Sequence, residues 1–148
     1  MKIISVGKLS KEFQPIAEHY KKIIKYQMKF IDIDNVNKLP PKQIKQSEAK
    51  LINKHIEKGP YNIILDIVGT SLSSHEFANM LQNRMVSGDN ICFIIGGAFG
   101  LDEAIIKQAN VRLSLSKMTM PHQMAKIILL EQIYRAQTIL ENHPYHKD

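Results

Sequence analysis

Two loops hold the residues whose types and spacing could bind a small ligand. The first is the glycine-rich stretch 96–100, which comes directly after the apolar run 91–95. The second is the stretch 116–122 (Ser-Lys-Met-Thr-Met-Pro-His), which follows an alternating segment at 111–115. Glycines let the backbone approach a ligand closely, while small polar residues and methionines offer donors, acceptors and an apolar wall. The two stretches therefore predict a ligand site built largely from backbone groups.

The rest of the chain predicts alternating strands and helices that would bring these loops together. Apolar runs predict strands at 1–6, 28–34, 61–68, 91–95 and 111–115, and apolar stripes predict helices at 11–26, 41–57, 73–85 and 124–140. Ser10 and Ser73 or Ser74 are candidate helix caps, Asp102 and Glu103 suit the first turn of a short helix, and Pro121 suits the opening of the last one. This order predicts an α/β fold, with a mostly parallel sheet and helices on both faces. Loops at the carboxyl ends of such strands are where ligands bind.

Composition narrows the class of protein. A chain of 148 residues fits one domain, 1–148, and its single cysteine, Cys92, falls in an apolar run where a small buried thiol is expected. The apolar runs are too short for a membrane span or a signal peptide, which favours a cytoplasmic protein with no membrane partner. The net charge of +6 suits a polyanionic partner. The lysines at 42, 45, 50, 54 and 58 could face RNA or could simply be solvated.

Several familiar ligand motifs are absent. The glycines follow the fourth predicted strand and not the first, and no acid that could hold a ribose occurs between Glu103 and Glu131, which argues against a dinucleotide site. No Gly-Lys-Ser/Thr follows the glycines, so a phosphate-binding P-loop is excluded. The histidines show no metal-binding spacing, and no metal is expected.

The last helix and the tail after it suggest further surfaces. The helix at 124–140 has a wider apolar arc than one core contact needs, which predicts cover by the sheet and by a second subunit; burial within its own domain is the alternative. Glu131 and Arg135 are spaced for an ion pair along the helix. The tail 142–146 combines two histidines, a proline and a tyrosine, and could form an ordered polar hook over a site.

Taken together, four motifs resemble the bacterial ribosomal RNA large subunit methyltransferase H family. They are Gly96-Gly97-x-x-Gly100, Leu115-Ser116-x-x-Thr119-x-Pro121-His122, Glu131-Gln132-x-Tyr134-Arg135-Ala136 and Asn142-His143-Pro144-Tyr145-His146. The resemblance implies a SPOUT-type fold with a C-terminal trefoil knot, a homodimer, and S-adenosylmethionine as cofactor. It also implies methylation of N3 of a pseudouridine in large-subunit (23S) ribosomal RNA on the assembled ribosome. Ala98-Phe99 departs from the family, which more often has polar residues there, and the region near Pro40 is shorter than usual.

The same resemblance implies roles for individual residues. The cofactor pocket would comprise Leu65, Gly97, Ser116, Lys117, Met118, Thr119, Met120 and Pro121. His122, Tyr145 and His146 would be candidates for assisting loss of the imide proton, and Arg135 would pair with an RNA phosphate. The tail would reach the pocket of the partner subunit. The competing hypothesis is a non-catalytic RNA-binding protein that retains the same fold.

Overall fold

A computed structural model of the protein describes residues 1–57 and 59–147. Within them, five parallel strands form one sheet in the order β2-β1-β4-β3-β5. The strands are β1 (Lys2–Val6), β2 (Lys29–Ile33), β3 (Tyr61–Ser71), β4 (Ile91–Ile95) and β5 (Val111–Ser114). The helices are α1 (Gln14–Ile23), α2 (Pro41–Asn53), α3 (Ser74–Val86), α4 (Glu103–Ile106) and α5 (His122–Leu140). The predicted α/β class is confirmed, and the trefoil knot stays a prediction.

Helices cover both faces of the sheet because successive side chains of a strand point to opposite sides. In β1, Ile3 packs into a core with residues of α1, α3 and α5, whereas Ile4 packs into a core with residues of α2 and α4. Strand β4 lies between β1 and β3 and is buried at all of its positions. This explains its uninterrupted apolar sequence. Cys92 lies there, and burial raises the pKa of its thiol to about 11, as expected of an inert structural cysteine.

The capping residues predicted from the sequence were correct for one helix and wrong for another. Ser73 caps α3 as predicted, with Glu76 completing a reciprocal capping box. The prediction that Ser10 caps the first helix is wrong, because α1 begins only at Gln14, where Pro15 suits the first turn. The carbonyl of Ser10 instead accepts hydrogen bonds from the backbone of Phe13 and Gln14 in a preceding turn. Helix α2 ends at Asn53, about one turn earlier than predicted.

Strand β3 continues beyond its predicted end and contains an irregularity. Leu65 and Thr70 both pair with Leu113 of β5, so residues 66–69 bulge out of the ladder between them. A side chain at Gly69 would begin 2.6 Å from the carbonyl oxygen of Arg112, which explains why a glycine occurs in the bulge. The bulge moves Asp66, Ile67 and Val68 away from the sheet and towards the ends of the neighbouring strands.

The wide apolar arc of α5 is explained within one chain. Helices α1 and α3 and strand β4 pack against α5, and no residue from Lys126 to Leu140 is exposed. Elements of the same chain therefore cover most of this arc, while Met124 at its start is 37% exposed. The homodimer prediction now depends on the resemblance alone.

In the part of the chain that the structure describes, no helix has the length and apolar character needed to cross a membrane.

Candidate functional site

A cavity of about 820 Å³ lies at the carboxyl ends of β3, β4 and β5. Its walls are the β3 bulge, the glycine loop (96–100) and the loop between β5 and α5 (115–121), together with the start of α5. The volume lies within the range typical of small-molecule sites. Few charged groups line it; they are Lys45, Asp66, Glu103 and Arg112. The two loops singled out in the sequence are therefore brought together, as predicted.

Most of the expected cofactor residues line this cavity. Those that do are Leu65, Gly97, Ser116, Met118, Thr119, Met120 and Pro121. Lys117 belongs to the same loop, but it is exposed and its side chain does not line the cavity. Among the predicted catalytic residues, only His122 lies at the cavity. From the lysine-rich helix α2, Lys45 lines the cavity, Lys42, Lys50 and Lys54 are exposed, and Lys58 lies outside the described residues.

The loop between β5 and α5 is held in place by hydroxyl groups. The Ser114 Oγ lies 3.2 Å from the Ile67 carbonyl oxygen and 2.9 Å from that of Ser116, so it links this loop to the β3 bulge. The backbone N–H of Met118 donates to Ser116 Oγ at 2.9 Å. These bonds fix one wall of the cavity before any ligand binds, which reduces the entropy lost on binding.

The glycine loop has two different reasons for its glycines. The backbone N–H of Gly100 donates to the Gly97 carbonyl at 3.0 Å, and Gly100 adopts a φ of +77°, which glycine tolerates best. At Gly97 the reason is close packing. A Cβ there would begin 2.9 Å from both carboxylate oxygens of Glu48 and 3.1 Å from Val6. Gly97 thus lies tightly against a buried acid of α2, in addition to lining the cavity.

His122 begins α5 in a confined and partly buried position. Its Nε2 lies 2.7 Å from the place where a Cβ on Gly7 would be, and Asn35 lies beside the same glycine. Burial and the nearby Lys126 lower the pKa of His122 below its usual value of 6.5. The imidazole is therefore mostly neutral at pH 7 and has a lone pair available to accept a proton.

An ion pair with one buried partner lies one helical turn beyond His122. Lys126 is only 3% exposed, and its ammonium pairs with the carboxylate of Asp32 on β2. The Ser5 hydroxyl donates to the same carboxylate oxygen at 3.0 Å. Removing the Asp32 carboxylate would leave the Lys126 ammonium buried and unpaired, which is strongly destabilising. The pair therefore attaches the beginning of α5 to the sheet edge and keeps a positive charge near His122.

The remaining predicted catalytic residues, Arg135, Tyr145 and His146, form a second group together with Glu131, here called the tail cluster. Arg135 Nε donates to Glu131 Oε1 at 2.9 Å, and Arg135 Nη1 lies 3.2 Å from His146 Nδ1. The guanidinium lies 4.9 Å from the Tyr145 ring centroid, a cation–π contact. Tyr145 also packs edge-on against Tyr134 at 4.8 Å. The predicted hook thus folds onto α5, where Arg135 has more partners than the predicted Glu131 alone.

The tail cluster lies outside the cavity of its own chain. Arg135 follows Ala125, the last cavity residue of α5, by 10 positions, which is about 15 Å at the rise of an α-helix. No member of the tail cluster lines the cavity. Partial burial, then Tyr20 and Glu131, raise the pKa of Tyr145 to about 12. Its phenol therefore stays protonated at neutral pH, so Tyr145 is the weakest of the three candidates for accepting a proton.

Some residues at the cavity were missed by the sequence reasoning. Asp66 and Arg112 form an ion pair of 2.6 Å on the cavity wall. Glu48 packs behind the glycine loop without lining the cavity, and it carried a signal because it occupies the position between Ile44 and Ile52 on the apolar stripe of α2. No group of His, Cys, Asp or Glu with metal-binding geometry is found within residues 1–57 and 59–147.

Fold and site together define a class of protein, and comparison with known proteins agrees. A family model described as predicted SPOUT methyltransferase matches residues 1–146. Solved structures with the same fold include a probable methylase family protein from Haemophilus influenzae, with a TM-score of 0.61 and 11% identity, covering 99% of this chain and 70% of that one. Another is a probable methyltransferase from Bordetella pertussis, with a TM-score of 0.60 and 9% identity, covering 91% and 94%.

Sequence relatives are more specific. A ribosomal RNA large subunit methyltransferase H from Clostridium botulinum is 43% identical, with 98% of each chain covered. The protein of the same name from Ruminiclostridium cellulolyticum is 40% identical over the same share of both chains. The chain therefore belongs to the SPOUT methyltransferase family and groups there with the proteins named ribosomal RNA large subunit methyltransferase H, which confirms the resemblance seen in its motifs.

Proposed function

We propose that this protein is a cytoplasmic methyltransferase that uses S-adenosylmethionine to methylate N3 of a pseudouridine in 23S ribosomal RNA on the assembled ribosome. The observation that carries the proposal is the 820 Å³ cavity, which joins three loops distant in sequence with a neutral histidine at its edge. The relatives' names point to large-subunit ribosomal RNA as the substrate. The net charge of +6 suits such a polyanion.

The residues at the cavity fit this cofactor. A structure with the same fold, the SpoU methyltransferase AviRb from Streptomyces viridochromogenes, was solved in complex with AdoMet; its TM-score is 0.51 at 8% identity, covering 93% of this chain and 57% of that one. In this chain, Leu65, Met118 and Met120 offer an apolar wall. The backbone of Gly97 and of the loop 115–121 offers donors and acceptors for an adenine and ribose. When bound, the cofactor supplies a methyl group on a positively charged sulfur.

The chain's own residues would position the base and remove its proton. Alkylation of an imide nitrogen requires that nitrogen to lose its proton, and His122 at the cavity edge has a lone pair at neutral pH. Burial around Gly7 and Asn35 restricts the imidazole to one place, which favours a defined angle of approach. His146 remains an alternative proton acceptor, but in its own chain it lies with the tail cluster.

We further propose that the tail cluster acts on the cavity of a second copy in a homodimer. Because no member of the tail cluster lines the cavity of its own chain, the cluster can serve that cavity only indirectly. Arg135 presents a guanidinium that can pair with phosphate, and Tyr145 presents a ring that can stack on a base. The resemblance supports the same arrangement.

A methylation assay tests the proposal directly. Ribosomes lacking the modification are incubated with the protein and methyl-labelled S-adenosylmethionine, and the labelled nucleotide is mapped. We expect one methyl group at N3 of a pseudouridine in 23S ribosomal RNA, and none on free RNA of the same sequence. Cofactor binding without any transfer to ribosomes would favour the alternative, a non-catalytic RNA-binding protein. Transfer to another nucleotide would refute the assigned substrate.

A further inference from the structure

Glu48 is a buried carboxyl group that the proposed mechanism does not use. It lies on α2 with 4% of its surface exposed, although acids are rarely buried without a charged partner. No ion pair to Glu48 occurs among the described residues, and its pKa is raised by burial and lowered only by a backbone hydrogen bond from Val36. Burying an unpaired carboxyl is costly, so its place in the core requires an explanation.

The contacts of Glu48 offer that explanation. Both carboxylate oxygens lie 2.9 Å from the point where a Cβ of Gly97 would begin, so the carboxyl group rests directly against the glycine loop. The backbone of Val36, in the segment 34–40 between β2 and α2, faces the same carboxyl and lowers its pKa. The neighbouring residue Asn35 lies against Gly7, beside the His122 imidazole. One side chain thus touches both the cavity floor and the segment next to His122.

We propose that Glu48 is a positioning residue for cofactor binding: its carboxyl sets the height of the glycine loop at Gly97 and links that loop to the segment beside His122. The proposal rests on the proposed function, in which Gly97 contacts the cofactor. This role depends on the volume of the Glu48 side chain and on its hydrogen-bond acceptor. It does not depend on the negative charge of the carboxylate. The carboxyl does not itself line the cavity. It packs against the glycine loop from the side opposite the cavity.

Single and double substitutions at positions 48 and 97 test this role. Gly97→Ala places a methyl group against the Glu48 oxygens and Val6, so the loop must shift, and we expect cofactor affinity to fall about tenfold or more. Glu48→Ala removes the support and should also weaken binding. The double variant restores space for the methyl group, and we expect it to bind more tightly than Gly97→Ala alone. Isothermal titration calorimetry with S-adenosylmethionine measures all four proteins.

Gly96→Ala is the matched control in the same loop. A Cβ at Gly96 would begin 2.9 Å from the backbone of Gly100 and 3.0 Å from Leu101, away from Glu48. We therefore expect Glu48→Ala to give no rescue of Gly96→Ala. Glu48→Gln keeps the volume and the acceptor for Val36, and should retain wild-type affinity. Thermal unfolding of each variant identifies any that fail to fold.

The outcomes separate this inference from the proposed function. If the intact chain does not bind S-adenosylmethionine, the proposed function fails. If the intact chain binds but the double variant binds no better than Gly97→Ala, Glu48 does not position the loop. Rescue of Gly96→Ala to the same extent would show a general loosening of the cavity and would also overturn the proposal. Rescue confined to Gly97→Ala, with full binding by Glu48→Gln, is the expected result.

Discussion

The cavity and the tail cluster differ in the chemical groups that form them. The cavity uses backbone groups, small residues and apolar side chains, held by hydroxyl bonds and close glycine packing. The tail cluster uses charged and aromatic side chains, held together by the bonds between Arg135 and Glu131 and by the Tyr145 ring. A surface of the first kind suits a small neutral adenosine, whereas one of the second kind suits phosphates and bases. Under the proposed function, cofactor and RNA would bind at separate parts of α5.

The largest effect is expected from Gly97→Val. Its branched side chain would begin 2.9 Å from the Glu48 oxygens and displace the loop, so S-adenosylmethionine affinity should fall about a hundredfold or more. Calorimetry measures binding, and circular dichroism with thermal unfolding checks the fold. The tail cluster should be unaffected. Undiminished affinity in a folded variant would remove the glycine loop from the cofactor site.

Removing the tail should reduce ribosome methylation without reducing cofactor binding. Deletion of residues 143–148, or Arg135→Ala, should leave S-adenosylmethionine affinity little changed, because the tail cluster does not line the cavity. Ribosome methylation should fall about a hundredfold, since the RNA would lose its positioning. Arg135→Lys, which keeps the charge and loses the rigid fork, should be intermediate. Full methylation by the truncated protein would contradict an RNA role for the tail.

A smaller effect, on the pH dependence of stability, is expected from His122 at the start of α5. The pKa of His122 is lowered in the folded protein, so the native state binds fewer protons than the unfolded state. The contribution of His122 to stability is therefore present above about pH 6.5 and is lost as the pH falls through the folded value. Relative to His122→Asn, the wild-type melting temperature should drop more between pH 7.5 and 5. Equal drops would show that the histidine is not held neutral.

Sequence reasoning succeeded where local pattern determines structure. The apolar run 91–95 predicted the central strand, and Ser73 or Ser74 predicted the start of α3, because burial on both faces and helix capping depend on nearby residues. The proximity of the glycine loop to the loop 115–121 followed from the rule for parallel strands. Most cofactor residues came from the family motifs and not from the pattern.

Other features depend on contacts between distant segments, which periodicity does not encode. The bulge at 66–69 arises from how β3 meets β5, and Asp66 in this bulge lines the cavity. The wide arc of α5 predicted cover by the sheet and by a second subunit; α1, α3 and β4 pack against it, and the second subunit stays a prediction. Glu48 interrupts an apolar stripe, but its contact with Gly97 becomes visible only in three dimensions.

The central claim is that a complete site combines the cavity of one chain with the tail cluster of another. Mixing two inactive variants tests it: Gly97→Val, which keeps its tail, and Arg135→Ala lacking residues 143–148, which keeps its cavity. Random exchange of subunits makes half of the dimers mixed, and each mixed dimer has one intact site of two, so methylation of ribosomes should recover to about a quarter of the wild-type rate. No recovery, in a mixture shown to exchange subunits, would contradict the claim, because a site contained within one chain cannot be restored this way.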